Sequence, residues 1–144
     1  MACTNKNPLE CCLFFTANSL ARDITRMGEK EFAGIGMTPS YAFLMTLAVG
    51  APGISQKEIS LQMNMAPSTV SRFIEALEKR GLLQKEVQGR VTLIYPTEKG
   101  EQLSREIQKA WKNLHERYSR VLGRENGDEL TRLCLEASRK IQQE

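Results

Sequence analysis

The sequence predicts a mainly α-helical chain that carries one small β-hairpin. Three observations predict it. Apolar residues recur at three- and four-residue steps in 9–27, 103–121 and 130–141. Strand-forming residues concentrate in 82–96, on either side of Gln88-Gly89. The 144 residues are 41% apolar and 26% charged, which suits one soluble domain with a sizeable core and is too apolar for a disordered chain.

The elements follow in chain order. Residues 9 to about 31 read as a long amphipathic helix, with Pro8 at its start and Leu9, Leu13, Ala17, Leu20, Ile24 and Met27 along one face. Gly34-Ile35-Gly36 ends it. Thr38-Pro39 is an N-cap followed by proline, and Tyr41 to Val49 is apolar nearly all round, as a buried helix would be. Ala51-Pro52-Gly53 is a turn. Ser55 and Glu58 form a capping box that opens a short helix to about Met63. After a break at Asn64 to Ala66, a helix from Pro67 to Arg80 presents Val70, Ile74 and Leu77 inward, and Gly81 stops it. Ile54, Ile59, Met63 and Leu82 are expected to join that face. Gln88-Gly89 is read as the two-residue turn of the hairpin. A long helix begins at Thr97 or Glu98, with Leu103, Ile107, Trp111, Leu114, Tyr118 and Val121 on one face. Gly123 to Gly127 breaks it. A final helix carries Leu130, Leu133, Ala137 and Ile141, with Cys134 read as core.

Several function classes are disfavoured. His115 is the only histidine, and its neighbours suggest no acid–base site or hydrolase triad. Cys3, Cys11, Cys12 and Cys134 contain no C-x-x-C pair, so no structural metal and no cofactor is expected. No phosphate-binding glycine motif is present. The uncharged run from Phe32 to Gln56 holds four glycines and two prolines and cannot be one membrane helix. Met1 to Lys6 lacks the apolar stretch of a signal peptide, so the expected compartment is the cytoplasm, with thiols reduced.

A buried helix, a short helix, a turn, a polar-faced helix and a hairpin in that order are the layout of a winged helix-turn-helix, whose second helix enters the DNA major groove. The residue types agree. Pro67, Ser68, Thr69, Ser71 and Arg72 line the outer face of the second helix where it starts, and Ser55 and Gln56 open the helix before it. Such hydroxyls and arginines contact phosphates and base edges. Arg90 at the hairpin tip suits a narrow minor groove, and Lys85 and Lys57 suit the DNA backbone. The net charge is only +3, but residues 54–97 hold six cations and four carboxylates, a net +2.

The run Ser68-Thr69-Val70-Ser71-Arg72-Phe73-Ile74-Glu75-Ala76-Leu77-Glu78-Lys79-Arg80-Gly81-Leu82-Leu83 resembles the recognition helix of the MarR family of bacterial transcriptional regulators. Thr97-Glu98-Lys99-Gly100 resembles the L-T-x-x-G segment after that family's wing, with Pro96 in place of leucine. The resemblance implies a mainly α fold, a winged helix-turn-helix at 37–97 between long dimerisation helices at 8–36 and 98–144. It also implies a homodimer on a pseudo-palindromic double-stranded operator, as a repressor released by a small molecule. Two features depart from the family. The wing is short and carries Gln88-Gly89-Arg90 where the family has D-x-R. The first helix resembles the peroxide-sensing branch, but Phe14 falls at the reactive-cysteine position.

Long apolar faces on the terminal helices also ask for a partner surface, and Leu9, Leu13, Trp111, Tyr118, Leu130 and Leu133 are the candidate interface residues. Trp111, Tyr118 and Phe14 serve alternatively as the lining of a cavity for a small aromatic or lipophilic ligand. Two rival functions remain open: a thiol-based redox sensor of the same fold using Cys11 or Cys12, which are otherwise inert helix residues, and a winged protein-interaction module that does not bind DNA.

Overall fold

The computed structural model describes residues 6–144; Cys3 and the N-terminal start read above lie outside them. The elements are α1 (Leu13–Ala33), α2 (Pro39–Gly50), β1 (Ile54–Ser55), α3 (Gln56–Met63), α4 (Pro67–Lys79), β2 (Leu83–Gln88), β3 (Val91–Pro96), α5 (Glu98–Leu122) and α6 (Arg124–Gln142). No helix among the described residues is long and apolar enough to cross a membrane.

Local capping sets the central boundaries. Thr38 accepts from Tyr41 N–H at 3.3 Å, Ser55 from Glu58 N–H at 3.1 Å and Thr97 from Gly100 N–H at 3.1 Å. Only half of the expected capping box forms, because the Glu58 carboxylate accepts from Gln62 Nε2 instead. The core is built where α2, α3, α4, the sheet and α5 meet. Phe32, Leu44, Met45, Ile59, Ile74, Leu77, Leu82, Leu83, Ile94 and Ile107 are its large buried side chains. The inward face of α4 is Val70, Ile74 and Leu77, as its spacing requires. Ile54 and Met63 pack at the edge of this core rather than inside it.

The sheet has three antiparallel strands in the order β1-β3-β2. The two-residue strand β1 pairs Ile54 with Ile94 and Ser55 with Leu93, which ties the start of α3 to the wing. The hairpin pairs Leu83 with Pro96 through to Gln88 with Val91. Its turn is therefore Gly89-Arg90, one residue later than the sequence suggested. Gly89 takes φ +62° at the first central position and Arg90 keeps a negative φ, the signature of a type II′ turn with glycine first.

Four further expectations are corrected. Residues 9–12 do not belong to the first helix: Pro8–Cys11 is a single 3₁₀ turn, and Cys12, at φ −101° and ψ 120°, separates it from α1. Cys11 and Cys12 are therefore not helix neighbours. The break after α5 is confined to Gly123, since Gly127 N–H bonds the Gly123 carbonyl at 2.9 Å and Gly127 sits buried in α6 near Tyr118. Cys134 is exposed, because no described residue covers that part of α6. Phe43 of α2, expected in a helix buried all round, is half exposed and stacks on Trp111.

The junction of α4, β2 and α5 is closely bonded. Thr97 N–H bonds the Leu82 carbonyl at 3.1 Å, Thr97 Oγ1 donates to the Gly81 carbonyl at 2.6 Å, and Lys99 Nζ donates to the Arg80 carbonyl at 3.0 Å. Gly100 lies so close to Leu82 that a methyl group there would overlap its carbonyl oxygen and press on Met45. Backbone cannot yield as a flexible side chain does. Gly100→Ala is expected to destabilise the fold by about 3 kcal/mol in urea denaturation, at the upper end of overpacking costs. Gly50→Ala, whose added methyl meets nothing within 4 Å, is the control and should not lower stability.

Candidate nucleic-acid interface

The turn between α3 and α4 depends on Asn64. It takes φ +51°, ψ +48° after the last residue of α3, a left-handed conformation that asparagine tolerates better than most residues. Met65 N–H then bonds the Ser60 carbonyl at 3.1 Å, and Ala66 leads into Pro67. Pro67 opens α4 without needing an N–H partner, and Ala66 provides no side-chain cap. In the first turn of α4 the Thr69 and Val70 N–H groups bond the Ala66 carbonyl at 3.0 and 3.1 Å, so the Ser68 N–H alone is left to face outward.

A groove of about 1130 Å³ runs between the start of α3, the start of α4 and the hairpin. Six of the nine residues singled out for DNA line it: Ser55, Gln56, Pro67, Ser71, Lys85 and Arg90. Ser68, Thr69 and Arg72 stand outside it, at the start of α4, with Ser68 and Arg72 exposed. Lys57, Thr92, Asn64 and Gln142 also line the groove, the last at the end of α6. Its charged lining is Lys57, Lys85 and Arg90, with no carboxylate. Lys85 Nζ lies 3.5 Å from Glu78 Oε1, which links the wing to α4 and partly neutralises that lysine. Among the described residues Arg72, Arg90 and Lys57 have no carboxylate within ion-pair distance, so their charges are available. Within the groove, Gln56 Nε2 donates to Ser71 Oγ at 2.7 Å and joins the two helices of the motif.

A second cavity, of about 480 Å³, lies on the opposite side of α4 among α1, α2, α4 and α5. Tyr41, Phe43, Phe73 and Trp111 give it four aromatic walls, and Glu29 is its single charged side chain. Trp111 and Phe43 are stacked with centroids 4.6 Å apart, and Tyr41 meets Phe73 edge-on at 5.0 Å. Trp111 also packs edge-on against Phe32 and donates from Nε1 to Thr46 Oγ1 at 3.2 Å. Its ring is therefore engaged inside the chain. Sequence spacing named Trp111 for such a cavity but also Tyr118 and Phe14, which stand elsewhere; Phe14 is 80% exposed. Tyr41, Phe43 and Phe73 went unnoticed for this cavity, since aromatic residues on two separate helices carry no local signal.

The candidate interface residues divide. Leu9, Leu13 and Leu133 are exposed, at 52%, 70% and 48%, and Val121, Leu135 and Ile141 share that condition. Leu130 is half-buried, and Tyr118 lies edge-on to His115. The polar face of α6 is braced by Arg132, which bonds both Glu129 and Glu136 and holds the Glu129 carboxyl below its ordinary range. Cys12 is an exposed free thiol, and Cys11 is half-buried at the end of the 3₁₀ turn.

Asn64→Val should cost roughly 1–2 kcal/mol in thermal or urea unfolding, the steric penalty of a branched residue in left-handed backbone, whereas Asn64→Gly should change stability little.

The MarR family model matches residues 37–87. Solved structures agree over nearly the full length. The transcriptional repressor CouR bound to a 23-mer DNA duplex is 22% identical, with a TM-score of 0.84 over 95% of this chain and 99% of that one. The PcaV regulator of Streptomyces coelicolor with its natural ligand is 20% identical, with a TM-score of 0.81 over 96% and 97%. The S. aureus MepR–DNA complex is 14% identical, with a TM-score of 0.78 over 89% and 97%. No curated protein sequence matches. The MarR family model thus matches the helix-turn-helix segment, and the chain as a whole shares the fold of these solved regulators.

Proposed function

We propose that the protein is a transcription regulator that binds double-stranded DNA as a homodimer, acts as a repressor and is released by a small aromatic or lipophilic ligand. The observation that carries this reading is the groove between the helix-turn-helix and the wing, lined by three cations and no carboxylate. A solvated protein surface ordinarily mixes both signs, and a groove of one sign concentrates a polyanion. CouR and MepR, which share the fold, have been solved on DNA.

In this reading α4 enters the major groove with Ser68, Thr69, Ser71 and Arg72 at its leading end. Arg90 reaches the flanking minor groove, and Ser55, Gln56, Pro67 and Lys85 complete the contact surface. Residues 37–97 form the DNA-binding region, and 8–36 with 98–144 form the dimerisation helices. The uncovered leucines of α1 and α6 support the dimer, since they leave an apolar surface that a second copy would bury. The dimer sets the two α4 helices about one DNA turn apart, roughly 34–36 Å. A ligand in the aromatic cavity touches Phe73 of α4 and Trp111 of α5 together. It can therefore shift α4 and α5 together and with them the spacing of the two recognition helices, and a dimer off that spacing loses one half-site.

Three measurements check this. Arg90→Ala should lower the slope of log K against log salt by about one unit per protomer if the side chain contacts phosphate. An unchanged slope would remove Arg90 from the interface. Sedimentation at micromolar concentration should give twice the 16.3 kDa chain mass; a monomer would sink the dimer. Phe43→Ala should cost about 1 kcal/mol of stability, the loss of a half-exposed ring stacked on Trp111, while weakening the ligand's power to release DNA.

A further inference from the structure

Gln56 and Ser71 stand 15 residues apart in the chain, yet their side chains meet in the groove at 2.7 Å, with the Gln56 amide nitrogen donating to the serine oxygen. The direction of that bond has chemical consequences. Several helical hydroxyls in this chain turn inward: Thr46, Ser60 and Thr131 each donate to the carbonyl four residues back, at 2.8–3.1 Å. Ser71 makes no such bond among the described residues. Its oxygen is occupied as an acceptor by the Gln56 N–H, so its own hydrogen is left for an acceptor outside the protein. The Gln56 Oε1 is fixed by the same bond, because the amide nitrogen faces Ser71 and the oxygen must point away from it. It accepts from no protein group among the described residues. The two side chains together offer the groove one donor and one acceptor, side by side.

We propose that the Gln56–Ser71 couple is a specificity-determining element that reads adenine in the major groove. The inference rests on the DNA-binding reading above and extends it to one base. Adenine alone presents an acceptor, N7, next to a donor, the N6 amino group. Ser71 Oγ–H meets N7, and Gln56 Oε1 meets N6–H. Guanine offers N7 and O6, two acceptors, and O6 would face the Gln56 oxygen. Thymine offers O4 and a methyl group, and cytosine's amino group has an acceptor beside it only across the pair, on guanine O6. Gln56 thus acts in two ways. It contacts the base, and it positions Ser71 by deciding which way the hydroxyl points.

The test begins with selection of bound duplexes from a random DNA pool by the full chain. The expected result is a two-fold-symmetric site with one adenine in each half whose preference disappears in both Gln56→Ala and Ser71→Ala, other positions being kept. At that adenine, replacement by guanine should weaken wild-type binding by roughly 5- to 150-fold, the range for one bidentate base contact. Replacement by 7-deazaadenine, which lacks only the N7 acceptor, should weaken the wild type and leave Ser71→Ala unaffected. Gln56→Glu separates reading from bracing. A glutamate keeps the link to Ser71 but accepts its hydrogen, so the donor is withdrawn from the groove and the adenine preference is lost. If the couple only braces α3 against α4, Gln56→Glu keeps the preference and the proposal fails. It fails equally if the two alanine variants lose different positions or none. Circular dichroism melting of each variant shows that the folded protein is being compared. Recovery of no sequence by the wild type overturns the DNA-binding reading itself, and with it this one.

Discussion

The end of α4 is capped by the beginning of α5. The carbonyls that follow α4, those of Arg80, Gly81 and Leu82, are taken by Lys99, the Thr97 hydroxyl and the Thr97 N–H. Gly100 permits the approach, since its missing side chain is the space that the Leu82 carbonyl occupies. Recognition helix and longest helix are therefore one mechanical piece, joined by one backbone–backbone bond, two side-chain bonds to backbone carbonyls and the close approach at Gly100. With 25 residues, α5 is a rod of about 37 Å. The direction of α4 is written into where the far end of that rod lies, and the position of α6 follows from it.

This rigidity gives meaning to the two concave surfaces beside α4. Ser71 faces the cationic groove and Phe73, two residues on, faces the aromatic cavity. The helix is a wall common to both. An occupant of either space presses on the same element, and that element cannot shift without carrying α5 along. Coupling between sites requires a shared element of this kind. The charge pattern separates the two spaces chemically: three cations line one, and four aromatic rings with a single carboxylate line the other.

Much of this was legible in the residues. The helix-turn-helix was readable because its signals are local: Thr38-Pro39, Ser55, Pro67 and Gly81 mark boundaries within a turn of where they act, and Val70, Ile74 and Leu77 mark a face by spacing alone. What stayed hidden depends on partners far along the chain. The strand β1 has only Ile54 and Ser55, and Ile94 and Leu93 opposite make it a strand. The hydrogen bond between Gln56 and Ser71 spans two helices, and the aromatic cavity draws on four. Cys134 and Leu133 carry the periodicity of a core face, but periodicity cannot say whether the same chain covers it. Gly127 was mistaken for a helix breaker because glycine weakens a helix in isolation, whereas here α6 runs through it and buries it near Tyr118.

The wing's turn has another consequence. Gly89 and Arg90 are its whole loop, so the hairpin holds no slack, and its six-residue strands fix the tip roughly 20 Å from the sheet's base. Side chains alternate between faces along each strand. Lengthening both strands by one residue would advance the tip by about 3.3 Å and turn it to the opposite side, whereas two residues each would advance it by about 6.6 Å with its facing restored. The reach of Arg90 is therefore quantised. Descendants of this chain can retune it only in paired steps, or by keeping the length and changing the residue at the tip.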